Sequence, residues 1–139
     1  MKLYFVLLLL LGLATSNATT AQITAPVDSI APLLCKTWRV SYALADNMRI
    51  DMKPGVKTPD FGFNTDKTFW IAPFADGSRT KGTWVYDSAS KTIKMIINKK
   101  GHGTIIQLQA DQLIILFDTK EATPDDPTPI KVVYKVKVN

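Results

Sequence analysis

The chain has 139 residues, 46% of them apolar, with 17 basic against 12 acidic side chains and a single Cys and a single His. One cysteine rules out an internal disulfide, and one Cys plus one His cannot supply the usual nitrogen-and-sulfur zinc set. The formal charge of +5 is mild and scattered, which argues against nucleic-acid binding, since that wants a concentrated basic patch with exposed aromatics.

Residues 1–21 read as a secretory leader. Met1-Lys2 is a short positive start, Leu3 to Leu13 an apolar run, and Ala14 to Ala21 a small, polar close. The run is too short to span a bilayer, and no later segment is longer and equally apolar, so no integral membrane segment is expected in the mature chain. Cleavage is expected between Ala21 and Gln22, with Ala18 the alternative. Cys35 follows Leu34 far downstream, which excludes a lipid anchor of the bacterial type. The expected product is soluble and exported, to the periplasm or the exterior. Losing Lys2 leaves 118 residues with 16 basic and 12 acidic side chains, hence about +4. That length is one domain with a core of its own.

Residues 22–34 form a lead-in holding Pro26 and Pro32, in which Asp28 or Ser29 is placed to cap one helical turn. From Cys35 to the end the chain reads as short strands cut by turns. The first strand is Lys36 to Leu44, with Trp38, Val40, Tyr42 and Leu44 sharing a face. Residues 45–59 are a polar connection ending in Pro54-Gly55 and Pro59. Strands follow at Asp60 to Asn64 and Thr68 to Phe74, then an Asp76-Gly77 turn. Three more are expected at Gly82 to Asp87, Thr92 to Asn98 and Thr104 to Gln109, with Lys99 to Gly103 as a glycine-containing turn. Leu113 to Asp118 is apolar on both faces. An acidic, proline-rich stretch from Thr119 to Pro129 precedes Ile130 to Val138, the cleanest period of two in the chain. Its apolar face opposes Lys131, Lys135 and Lys137, which read as an outward, solvated row that discourages edge pairing.

Eight strands in up-and-down order, joined mostly by short turns, predict an all-β fold: a single antiparallel barrel over residues 35–139. Several motifs, taken in order, resemble the small secreted bacterial lipocalin-like proteins. They are Leu33-Leu34-Cys35-Lys36-Thr37-Trp38, Phe63 to Trp70, Gly82-Thr83-Trp84-Val85-Tyr86-Asp87 and Ala110 to Leu116. The chain departs from lipocalins in having Lys36 where they place a Gly two residues before the first-strand Trp, and in lacking an Arg on the last strand. The resemblance implies a closed barrel with a small-molecule site inside.

Chemistry-bearing constellations are few. His102 lies between Gly101 and Gly103 and reads as a solvated loop residue; Asp87 and Asp111 are acidic residues near turns that a catalytic pairing with it would need. Cys35 reads as a small buried apolar side chain. Asp118, Glu121, Asp125 and Asp126 match no calcium-loop spacing. Catalytic, metal and cofactor sites are therefore not expected. The remaining constellation is aromatic. Tyr42, Phe63, Phe69, Tyr86, Phe117 and Tyr134 are the interior candidates for lining a ligand site, with Trp38 and Trp84 as structural plugs. The expected function is binding of a small apolar or amphipathic molecule. The alternatives are a filled-core protein–protein interaction module and, less favoured, a barrel enzyme using His102.

Overall fold

A computed structural model describes residues 22–73, 76–117 and 129–138. The expected leader and the acidic stretch with Asp118, Glu121, Asp125 and Asp126 lie outside the described residues, as does Phe74. The elements are α1 (Val27–Leu34), β1 (Thr37–Ala45), β2 (Met48–Asp51), β3 (Asp60–Phe63), β4 (Thr68–Ala72), β5 (Thr80–Asp87), β6 (Thr92–Ile97), β7 (Lys100–Leu108), β8 (Gln112–Phe117) and β9 (Ile130–Val136).

All strands pair antiparallel: β3 lies between β1 and β4, β4 to β8 each pair with their sequence neighbours, and β9 returns to β1. The closing ladder runs from Trp38 opposite Val136 to Ala45 opposite Ile130. An eight-stranded barrel results, formed by β1 and β3 to β9, as the period-two pattern predicts. β2 is an addition that the sequence reading placed inside a loop. It pairs with β1 from Tyr42 opposite Asp51 to Ala45 opposite Met48, on the edge that β3 shares at Thr37 and Trp38. β2 and β3 thus occupy one strand position, interrupted by an excursion over residues 52–59. Pro54 and Pro59 cannot donate to a ladder, and Gly55 takes a left-handed turn at φ +84°. β2 escaped the sequence reading because all four of its residues are exposed, so no buried face marks it.

Two further differences come from bulges and turns. β1 slips its register against β9 between Val40 and Tyr42, and an extra residue in one strand reverses the facing of everything after it. Trp38 and Val40 therefore point inward, while Ala43 and Ala45 continue the interior face. Tyr42 and Leu44 pair with Val133 and Lys131 on the outer face. Between β6 and β7 the turn is Asn98-Lys99, both in left-handed backbone at φ 51° and 66°. Gly101, His102 and Gly103 consequently belong to β7, not to a loop.

The lead-in forms a full two-turn helix rather than one capped turn. α1 starts after Pro26 without a side-chain cap and tolerates Pro32 at its sixth position. Ile30 and Leu34 are buried on its inner side, together with Ile23. Ile23 donates its N–H to the Lys91 carbonyl (2.8 Å), fastening the lead-in to the β5–β6 turn. α1 therefore closes the end of the barrel that carries the β3–β4, β5–β6 and β7–β8 turns. Trp38 is fully buried there and donates its indole N–H to the Leu34 carbonyl at 2.9 Å. Trp84 does the same to the Asn64 carbonyl at 3.1 Å, beneath the Lys67 ammonium, 4.1 Å from its ring. Both tryptophans expected to face the interior are buried there.

On the outside, Asp60 of β3 is the single buried charged side chain among the described residues. It accepts from Lys137 (3.0 Å) and Arg39 (3.4 Å), tying together the three chain segments that meet at the closing seam. Trp70 lies across Gly62 of the neighbouring strand, in space a Cβ would fill, and Arg79 stacks over its ring at 4.7 Å.

Trp38→Phe removes a buried donor from Leu34 and leaves a void, and is expected to cost about 2 kcal/mol in urea unfolding. Asp60→Ala is expected to cost about 1–2 kcal/mol, the low end for a buried charge partner, because Arg39 and the Lys137 ammonium reach solvent once released.

Candidate functional site

The interior beyond the plug is the candidate site. Its wall is built from the inward residues of eight strands; α1 covers one end, and no element among the described residues covers the other, the candidate mouth. Phe61, Phe63 and Phe69 form a contiguous group toward the plugged end, with Phe61 opposite Trp38 and Phe63 beside the β3–β4 turn. Phe63 and Phe69 tilt at 5.7 Å between ring centres, and Phe61 lies 6.3 Å from Phe63 and 6.4 Å from Phe69. Tyr134 presents its ring edge-on to Phe61 at 5.3 Å, an arrangement the ring quadrupoles favour. Burial in this apolar setting pushes the Tyr134 phenol well above its ordinary pKa. It stays protonated across the physiological range and can donate as well as accept.

Of the six sequence-predicted lining residues, the fold brings Phe63, Phe69 and Tyr134 together through Phe61, which the sequence reading placed on a strand but not in the site. Tyr86 faces inward opposite Ile93 and is half-buried toward the plugged end. Phe117 faces inward near the mouth, opposite Ile130. Tyr42 does not line the interior: the β1 bulge turns it outward, where the Arg49 guanidinium lies 4.0 Å above its ring.

The mouth is lined by small and aliphatic groups. Ala43, Ala45, Ile71, Ile97, Val132 and Ile130 follow from the registers of β1, β4, β6 and β9. Met48 and Ile50 pair with Ala45 and Ala43, so they share that inward-facing side, yet are 70% and 46% exposed. They form an apolar lip on the rim.

His102 is also at the mouth, and not in a loop. It is the bulged residue of β7 against β6, with its ring edge-on to Phe117 at 5.7 Å. Partial desolvation pulls its pKa below 6.5. Asp87 ends β5 and Asp111 lies in the β7–β8 turn, both at the plugged end, so the acid partners a catalytic role would need stand at the far end of the barrel from His102. The lowered carboxyl pKa values of Asp66, Asp76 and Asp87 come first from hydrogen bonds with Thr68, Ser78 and Lys94; these are turn-forming contacts. Cys35, at the end of α1, is half-buried and not the fully buried side chain the sequence suggests, and desolvation raises its thiol pKa. No group of three or more metal-binding side chains gathers among the described residues.

No family model matches the sequence, and no curated protein does. A solved structure does. The crystal structure of a lipocalin-like protein from Bacteroides uniformis superposes with a TM-score of 0.50, over 75% of this chain and 98% of that one, at 14% identity. The fold is lipocalin-like. At that identity the likeness speaks for the barrel fold alone, and not for what the barrel holds.

The His102 imidazole is expected to titrate below 6.5 by NMR, and Phe117→Ala to move its midpoint upward by re-admitting water. Because the folded pKa is depressed, the stability tied to His102 is complete above the unfolded value and declines as pH falls through 6.5 toward the folded midpoint. His102→Phe should flatten that part of the stability–pH curve.

Proposed function

We propose that this protein is an exported, non-enzymatic carrier or sensor that binds one small apolar or amphipathic molecule inside the barrel. The observation that carries this reading is the asymmetry of the two ends. One is shut by α1, Trp38 and Trp84, with both of these indole N–H groups satisfied, while the other is lined by Ala43, Ala45 and mainly aliphatic side chains and overhung by exposed Met48 and Ile50. Exposed apolar side chains grouped at one end are what a binding entrance or a docking surface presents. An eight-stranded barrel has room for its own side chains or for one small ligand, which bounds the guest to a single chain or ring system. Apolar burial at about 25 cal/mol per Å² would supply the affinity, and the protonated Tyr134 hydroxyl the one polar contact deep within. The leader-like start of the sequence supports an extracytoplasmic setting, where such a binder meets lipids and hydrophobic metabolites.

The test is an intrinsic-fluorescence titration against fatty acids, lysophospholipids, isoprenoids and aromatic metabolites. Saturable one-to-one binding of at least one class is expected. Ala43→Phe at the mouth should weaken it about tenfold, while Val27→Glu, on the exposed side of α1, should leave it unchanged. Silence across the panel with an unaltered fold would overturn the reading.

A further inference from the structure

We infer that β2 is a self-complementary edge through which two copies of this chain pair strand to strand. The inference is independent of what the barrel binds. It begins with the hairpin geometry. Asp46 and Asn47 form a two-residue turn with both φ angles positive, at 47° and 63°, which makes Ala45 and Met48 the first hydrogen-bonded pair. Alternation makes Ala43 and Ile50 the next one. The backbone N–H and C=O groups of Arg49 and Asp51 must therefore point the other way, to the free edge of β2.

That edge is open among the described residues. β2 is the terminal strand in the sheet order, and β4, the next strand position along, ends at Ala72 level with Asp60, short of β2. All four residues of β2 are exposed. Natural sheets blunt such edges with short length, charge, proline or a bulge; β2 is short and carries one charge of each sign, Arg49 and Asp51, which repels like-charged strands but not a second copy of itself. Of the six large apolar side chains exposed among the described residues, three lie on β2 or just after it: Met48, Ile50 and Val56.

The charges select the partner. In an antiparallel pair of two β2 strands, hydrogen bonding requires that edge-facing residues oppose each other, so Arg49 and Asp51 are the residues to be matched. Setting Arg49 against Arg49, or Asp51 against Asp51, places like charges in contact. The register centred on Ile50 sets Arg49 of each copy against Asp51 of the other, and closes a two-fold arrangement with two opposite-charge pairs. The same register brings the two Ile50 side chains together on the apolar side, in the closer, non-hydrogen-bonded type of pair. Within one chain Arg49 and Asp51 already bond at 2.7 Å on the outer face, so both side chains lie on one side of the strand, as the exchange requires. Four residues a side make a small interface, so the dimer is one that exchanges with monomer at micromolar to near-millimolar concentration.

Sedimentation velocity of the purified protein across that range tests the inference, with far-UV circular dichroism to confirm the fold of each variant. A concentration-dependent dimer is expected. Arg49→Asp and Asp51→Arg should each weaken it by about tenfold or more, and the double exchange Arg49→Asp with Asp51→Arg should restore it. Amide exchange at Arg49 and Asp51, but not at Ile50, should slow as concentration rises. A monomer at every concentration, including one that instead binds phosphatidylglycerol vesicles, would overturn it. So would a dimer indifferent to both single variants, or a double exchange that fails to restore pairing.

Discussion

Everything in this molecule depends on β9 lying down beside β1. Residues about a hundred positions apart in the chain must pair before either strand has two neighbours, and until they do the sheet carries two raw edges. The sequence equips this seam with more than backbone bonds. Tyr134 and Val136 of β9 enter the same interior layer as Val40 and Trp38 of β1. Outside, Asp60 collects Lys137 and Arg39 where β3, β1 and the end of β9 converge. A single buried carboxylate between two cations suits a junction that has to form in one register, because a slip of one residue would carry Asp60 inward and leave it without either partner.

The capped end follows from that closure. Only a closed ring offers a rim that one short helix can fill, and α1 fills it with Ile30 and Leu34. Trp38 then links wall to cap through the Leu34 carbonyl. The bulge after Val40 belongs to the same logic. It turns large Tyr42 and Leu44 out of the barrel and brings Ala43 and Ala45 in, so the wall is bulky near the helix and slight near the mouth. The site proposed here owes its shape to that one extra residue.

How much of this was legible in the sequence divides along physical lines. β9 was plain because Ile130, Val132, Tyr134 and Val136 alternate with Lys131 and Lys135. The Asp76-Gly77 turn and the tryptophan plugs were plain for similar reasons. The β1 bulge was not, since Ser41 carries no mark that it lies outside the ladder, and Tyr42 was assigned inward on an alternation the backbone breaks. α1 reads as a single turn because Pro32 is a helix breaker in an interior position, yet the helix carries it at the sixth of its eight residues. His102 was placed in a turn on the strength of its flanking glycines, whereas Asn98 and Lys99 adopt the left-handed conformations that reverse the chain. β2, exposed on every residue, has no pattern to read; only its partner on β1 defines it. Phe61 was assigned to a strand but not to the site, because its central position among the rings depends on pairings across three strands.

The tether of α1 to the wall has a kinetic corollary. Two residues separate the helix from β1, and Ile23 is pinned to Lys91 on the other side, so the cap cannot swing aside like a hinged door without dragging a barrel strand with it. If the barrel takes the guest proposed above, that molecule would have to leave by the end it entered, and its residence time would be set at the rim and not by the cap.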